Sequence, residues 1–373
     1  MYDIINANAN QSHLRLFLLF GGLMKPIKIL IVILLIVLAG SITACTSENK
    51  PVESEASMPS NETVETVTTV ESTESSEEIY EKLQVVVTLF PHYDFAKAIG
   101  GEYVTVDYLL PPGIESHSYE PTPKDMIKIL DSDVFLFTNV LMEPWIEGMV
   151  SSIDATQTST VDLSKSITLL KTTNEHTHDD HAHEDEQGHE TGEYDPHYWT
   201  DPNNAILMVD AIEQVFIERM PEKSEVFSSN ADQLRESLMQ LDASFIDLVK
   251  HAESKTILSG GHFAFGYFAE RYGLSNLSPY IGFSPDAEPT PKSIAELINT
   301  IKETKSKAIF YEELIEPRVA KIISEETGVE MLLLHGAHNV SKSELETGVT
   351  YIEIMKGNLE RLKIGLGYDA STN

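Results

Sequence analysis

A five-residue string, Glu-Pro-Thr-Pro-Lys, occurs twice in this chain, at 120–124 and again at 288–292. It has company. Val134-Phe135-Leu136-Phe137 has a counterpart in Ala308-Ile309-Phe310-Tyr311, and Glu143-Pro144 has one in Glu316-Pro317. Phe95-Ala96, four residues before Gly100, is matched by Phe268-Ala269, four before Gly273. Four correspondences in the same order predict two similarly built halves.

Each half alternates strand and helix signals. Val85 to Val87 reads as a buried strand, Asp94 to Ile99 as a helix and Val104 to Leu110 as a second strand. Thr122 and Pro123 form a helix start, threonine as cap and proline in the first turn. Strands separated by helices predict a parallel sheet covered on both faces, a doubly wound α/β lobe, once in each half. Between the halves, Asp201-Pro202 opens a helix that runs to Arg219, and Pro221 ends it. Glu222 to Ala252 holds neither Gly nor Pro and repeats Phe227, Leu234, Leu238, Leu241, Phe245 and Leu248, which predicts a long rigid helix joining the lobes. The expected organisation is a first lobe over 83–220, a linking helix over 221–253 and a second lobe over 254–369.

The N-terminal region reads differently. Lys25 and Lys28 precede an uncharged run, Ile29 to Ala39, and Gly40-Ser41-Ile42-Thr43-Ala44-Cys45 follows. That is the layout of a secretory signal, and Cys45, the sole cysteine, stands where a bacterial lipobox cysteine is acylated. Met24 fits a natural start, so residues 1–45 are set apart from the fold. Residues 46–82 carry ten acids, two bases and almost no large apolar side chains, the composition of a disordered acidic tether. The expected location is the extracytoplasmic face of the cell membrane, reached through an acyl anchor. A formal net charge of −33 argues against nucleic acid as a partner, since a phosphate backbone needs a basic face.

Histidine carries the chemistry. His176, His178, His181, His183 and His189 lie among Asp and Glu in a loop at 174–192, the composition of a weak auxiliary metal collector. Other histidines fall at four predicted junctions between a loop and a strand or helix. His117 sits in Pro111-Pro112-Gly113-Ile114-Glu115-Ser116-His117, His197 before the Asp201 helix start, and His262 after Gly260-Gly261. His335 and His338 follow the apolar run Val329 to Leu334. In doubly wound sheets, ligands bind where loops leave the carboxyl ends of strands, so a metal held in the cleft between lobes would draw on all four places. Glu115, Glu120 and Asp201 are candidates to orient an imidazole by accepting its other N–H. His92 and His251 are read as bystanders, and Trp145 and Trp199 as packing near the cleft.

Pro-Pro-Gly-x-x-x-His117-x-Tyr-Glu-Pro-Thr-Pro, Asp-Pro-His197-x-Trp-x-Asp-Pro and Gly-His262-Phe-Ala-Phe-Gly-Tyr-Phe together resemble the metal-binding lipoproteins of bacterial zinc and manganese ABC importers. The similarity runs from about Val85 to Leu366. It implies two α/β lobes joined by a long helix, one metal between them, and His117, His197 and His262 as ligands. His335 falls where manganese-type members keep Asp, and His338 where some zinc-type members keep Glu. His335 is the favoured fourth ligand and His338 the alternative. A site of imidazoles without a carboxylate suits Zn2+ over Mn2+, the harder ion.

The expected function is therefore capture of a divalent transition metal and its delivery, by a monomer, to a membrane permease with its ATPase. Affinity should fall as pH drops through the histidine range. Two other readings compete: a surface metal buffer or adhesin without a transport role, and a zinc hydrolase. A hydrolase needs an open coordination position and a nearby base, and the chain has no His-Glu-x-x-His pair.

Overall fold

The computed structural model describes residues 81–171, 194–280 and 288–371. Cys45 with the signal region, nearly all of the tether and the His-rich loop 174–192 lie outside the described residues.

The first lobe contains β1 (Leu83–Val87), α1 (Phe90–Gly100), β2 (Val104–Tyr108), α2 (Pro123–Leu130), β3 (Val134–Phe137), α3 (Ile146–Val150) and β4 (Ser159–Asp162). Its four strands are all parallel, in the order β2-β1-β3-β4. Two helices follow, α4 (Pro202–Arg219) and α5 (Ser224–His251). The second lobe contains β5 (Thr256–Leu258), α6 (Gly266–Tyr272), β6 (Ser275–Leu277), α7 (Pro291–Thr304), β7 (Ala308–Tyr311), α8 (Arg318–Thr327), β8 (Glu330–Leu333), α9 (Lys342–Thr347) and α10 (Tyr351–Leu366). β5 pairs with β6 and β7 with β8, again in parallel. A single bridge, Ser259 to Phe310, joins the two pairs, and the Gly260 N–H donates to the Phe310 carbonyl at 2.7 Å. The order β6-β5-β7-β8 thus repeats that of the first lobe.

The sequence repeat marks equivalent starts. Thr122 caps α2 by accepting from the Asp125 N–H, and Thr290 caps α7 by accepting from the Ser293 N–H, each with proline in the first turn. Glycine is required where the chain leaves β5. A Cβ on Gly260 would lie 2.6 Å from the Cβ of Ala320, so α8 presses directly on the chain as it leaves β5.

Alternation along the strands fills both faces of each sheet. Val85, Val87, Val134 and Leu136 point into a large central core, while Val86, Phe135 and Phe137 enter a smaller one with Ile129, Ile146 and Met149. In the second lobe Ile257, Ala308 and Phe310 join that same central core, while Leu258 and Ile309 enter an outer core with Leu297, Ile301 and Ile323. The central layer is shared by both lobes.

In α5 the buried positions are Phe227, Ala231, Leu234, Leu238, Leu241, Phe245 and Leu248, a stripe stepping by four and three. The helix begins at Ser224, after a 3-10 turn at Pro221–Lys223, and its 28 residues span about 42 Å. It packs against α4, α1 and α10 and so belongs to the core, beyond the role of a strut between lobes. Trp145 corrects another expectation. It packs on the outer core of the first lobe beside Ile146, while Trp199 is fully buried at the cleft. Among the described residues no helix is long and apolar enough to cross a membrane.

Candidate metal centre

The strand order places the relevant loops together. His117 lies in the loop after β2, His197 just before α4, His262 after β5 and His338 after β8. One ring nitrogen from each of these four histidines lies within 4.8 Å of the others. A zinc ion bound tetrahedrally at about 2.0–2.1 Å sets its ligand nitrogens about 3.3 Å apart, so a small contraction would seat one. The Nε2 atoms of His117 and His197 face each other at 3.1 Å. Nε2 of His262 and Nε2 of His338 are buried and, among the described residues, have no hydrogen-bond partner. Buried polar atoms without partners are costly, and an ion at their common focus would relieve all of them.

Three of the rings are anchored from behind. The Nδ1 of His197 is 2.7 Å from Asp195 Oδ1, that of His338 is 3.1 Å from Glu313 Oε1, and that of His262 contacts Glu312 Oε2. A carboxylate accepting the Nδ1–H leaves the Nε2 lone pair facing the focus. Backbone N–H groups hold the same carboxylates: His197 N–H donates to Asp195 at 2.9 Å and Gly336 N–H to Glu313 at 2.7 Å. His117 is the partly exposed member. Glu115 fixes its backbone, accepting the N–H groups of His117 and Ser118, each at 3.0 Å.

The electrostatics follow from burial. Desolvation, with the charges of His338 and His262, holds His117 down at about 3, and desolvation with the neighbouring rings holds His197 well below the usual imidazole range. Burial pushes the Asp195 carboxyl up to about 7, against the pull of the His197 N–H. Burial also opposes ionisation of Glu313, yet His335, His338 and the Gly336 N–H bring its carboxyl down to about 2. His338 is raised: burial lowers it, but the hydrogen bond and charge of Glu313, with Glu312 and Glu115, outweigh that. A dication at the Nε2 side would favour ionised carboxylates and neutral imidazoles throughout.

His335 lies outside the four-ring cluster. Its Nδ1 accepts from the Ala337 N–H at 3.0 Å, and its Nε2 is 3.8 Å from Glu344. Between it and His338 stands Ala337 at φ +58°, a left-handed turn, and the Nδ1 atoms of the two rings lie 3.4 and 3.1 Å from the same Glu313 Oε1. His92 is buried in α1, with Nδ1 3.3 Å from the Thr88 hydroxyl, and His251 sits at the end of α5 beside Asp247. Asp201 caps α4 and pairs with Arg271, and Glu120 is exposed, so neither orients a ring. The orienting carboxylates Asp195, Glu312 and Glu313 were not among the sequence candidates. A signal existed: Asp195 is two residues before His197, and Glu312-Glu313 directly follow β7, at the carboxyl end where the ligand loops gather.

Lys171 and Tyr194 form an antiparallel bridge, and Asp195 N–H donates to the Leu170 carbonyl at 2.9 Å, so these described residues lie together beside Asp195.

Residues 85–365 match the family described as ZnuA, zinc-uptake complex component A, periplasmic. The chain belongs to that family. It is 36% identical over 286 residues to the high-affinity zinc uptake system protein ZnuA of Bacillus subtilis, covering 77% of this chain and 88% of that protein. It is 34% identical over 282 residues to the zinc-binding lipoprotein AdcA of Streptococcus pneumoniae, covering 76% of this chain and 55% of the relative. The chain thus spans about half the length of AdcA. The crystal structure of the Zn(II)-bound ZnuA-like domain of that AdcA superposes with a TM-score of 0.64 at 31% identity, covering 77% of this chain and 99% of the domain. In this chain the four-histidine cluster described above lies at the cleft of that fold.

Proposed function

We propose that this chain captures Zn2+ outside the cytoplasmic membrane and delivers it to the permease of an ABC importer driven by a cytoplasmic ATPase. The observation that carries the reading is the convergence of four imidazoles from both lobes on one buried focus. His117, His197, His262 and His338 serve as the ligands in this reading, with His335 outside. Four neutral nitrogen donors suit zinc, while manganese favours oxygen. They also fill a tetrahedral shell, leaving no position for the activated water a hydrolase needs, in keeping with a family of zinc-uptake components. The protein works as a monomer held to the membrane by an acyl group on Cys45. The loop at 174–192 gathers zinc at low affinity.

The test is zinc titration of the mature protein against a competing chelator. His338→Ala should weaken binding by about 100-fold or more, because removing a ligand costs more than the roughly 10–100-fold of an outer-shell change. His335→Ala and deletion of 174–192 should each leave one tight site. Loss of tight binding in His335→Ala with retention in His338→Ala would exchange the two assignments.

A further inference from the structure

His338, Asn339 and Val340 are three consecutive residues of the second lobe, and all three hydrogen-bond to the first. Phe90 N–H donates to the His338 carbonyl at 3.0 Å, and Gly113 N–H to the Val340 carbonyl at 2.8 Å. Between them the Asn339 side chain is fully buried and uses both of its ends. Its Nδ2 donates to the carbonyls of Pro111 at 2.7 Å and Ile114 at 2.8 Å. Its Oδ1 accepts from the Tyr108 hydroxyl at 2.7 Å and from the Val340 N–H at 2.7 Å.

The placement matters because of what stands on either side. Asn339 adjoins His338. Ile114 is three residues before His117, and Glu115 fixes the turn in between by accepting two backbone N–H groups. Covalent continuity on one side and this short capped turn on the other make Asn339 the link between two metal-facing rings of different lobes. The rings themselves stand with centroids 5.9 Å apart.

We propose that Asn339 is a positioning residue for the metal centre. It sets the spacing of His117 and His338 before the ion arrives, so the edge of the cleft between their loops is a closed clasp. Metal is bound and released without separating those two loops. The rest of the cleft supplies whatever motion exchange requires. The inference rests on the zinc-binding reading and deepens it. Asparagine suits the task, since it alone presents two donors and an acceptor at this reach without carrying charge into a buried place. An aspartate would set a negative oxygen against two carbonyls.

The experiment uses the full mature chain with Zn2+ and Co2+ as probes. Zinc affinity, zinc dissociation rate and the visible absorption of the cobalt form are compared across Asn339→Ala, Tyr108→Phe and Leu297→Ala. Leu297 lies in the outer core of the second lobe and reports a stability loss remote from the cleft. Asn339→Ala should lower zinc affinity about 10–100-fold, chiefly through faster dissociation, and weaken the intense bands of tetrahedral cobalt. Tyr108→Phe, which removes one of the four bonds, should shift both readouts the same way by less. Leu297→Ala should lower Tm and leave affinity and spectrum unchanged. Wild-type affinity and spectrum in Asn339→Ala would overturn the proposal, whatever its Tm. Should Asn339→Ala not fold, Tyr108→Phe decides, and an unchanged affinity there overturns it. Wild-type protein that binds no zinc would instead overturn the underlying reading, so the two failures are separable.

Discussion

At the scale of single residues, the centre is defined as much by what stands behind the imidazoles as by the rings. Gly336 shows how little room is left. A Cβ at that position would lie 2.4 Å from His338 Cε1, and its N–H already holds Glu313, which in turn holds His338. Gly336→Ala should therefore displace the His338 ring and weaken zinc binding about tenfold or more, read by chelator competition. An unchanged affinity would mean that His338 is free to move without consequence. The three core histidines were legible from sequence because each sits in an extended motif. The choice between His335 and His338 was not legible. They are three residues apart in one loop, on either side of the left-handed turn at Ala337, and it is the His338 ring that joins the cluster.

At the scale of elements, the strands and caps were readable because their signals are local: a short unbroken apolar run for β3, threonine and proline for α2 and α7, and a stepped apolar stripe for α5. The position of Trp145 was not, since which face of β3 a neighbouring helix covers is set by packing. The loop between β3 and α3 carries a buried carboxyl that periodicity could not reveal. Glu143 is buried there and accepts the Thr138 N–H at 2.8 Å. Burial, opposed by hydrogen bonds from Thr88, Thr138 and Asn139, pushes its carboxyl up to about 7 from 4.5. Between those values the native state holds a proton that the unfolded chain has lost. Stability attributable to this group therefore falls as pH rises through that window. The cost approaches about 3 kcal/mol above pH 7, since each tenfold change in proton affinity is worth ~1.4 kcal/mol. Contributions of His92, Asp94, Asp195 and Asp201 cancel in a comparison with Glu143→Gln. The stability of that variant relative to wild type, measured by urea unfolding of metal-free protein, should rise by about that amount from pH 4.5 to 7. A difference independent of pH would show that Glu143 is ionised in the fold.

At the scale of the whole molecule, one core layer serves two sheets. Residues of α1, α4, α5, α6 and α10 fill the space between the lobes, and the loops that carry the histidines are tied across the cleft by protein hydrogen bonds. Besides the contacts of 338–340, Trp199 Nε1–H donates to the Gly336 carbonyl at 2.8 Å, the Tyr351 hydroxyl to the Trp199 carbonyl at 2.5 Å, and the Tyr267 hydroxyl to the Asp195 carbonyl at 2.8 Å. A cleft braced in this way presents its nitrogens to the ion at little reorganisation cost. The repeat in the sequence announced the two lobes. Their joint core was hidden, because apolar stripes record which face is buried but not against what. The central claim, a zinc ion held by four imidazoles from both lobes, is tested most directly by X-ray absorption at the zinc edge of protein loaded with one equivalent. The account predicts a single shell of four nitrogens at about 2.0 Å with the outer-shell scattering of imidazole. A shell containing a carboxylate oxygen, or fewer than four imidazoles, would contradict it.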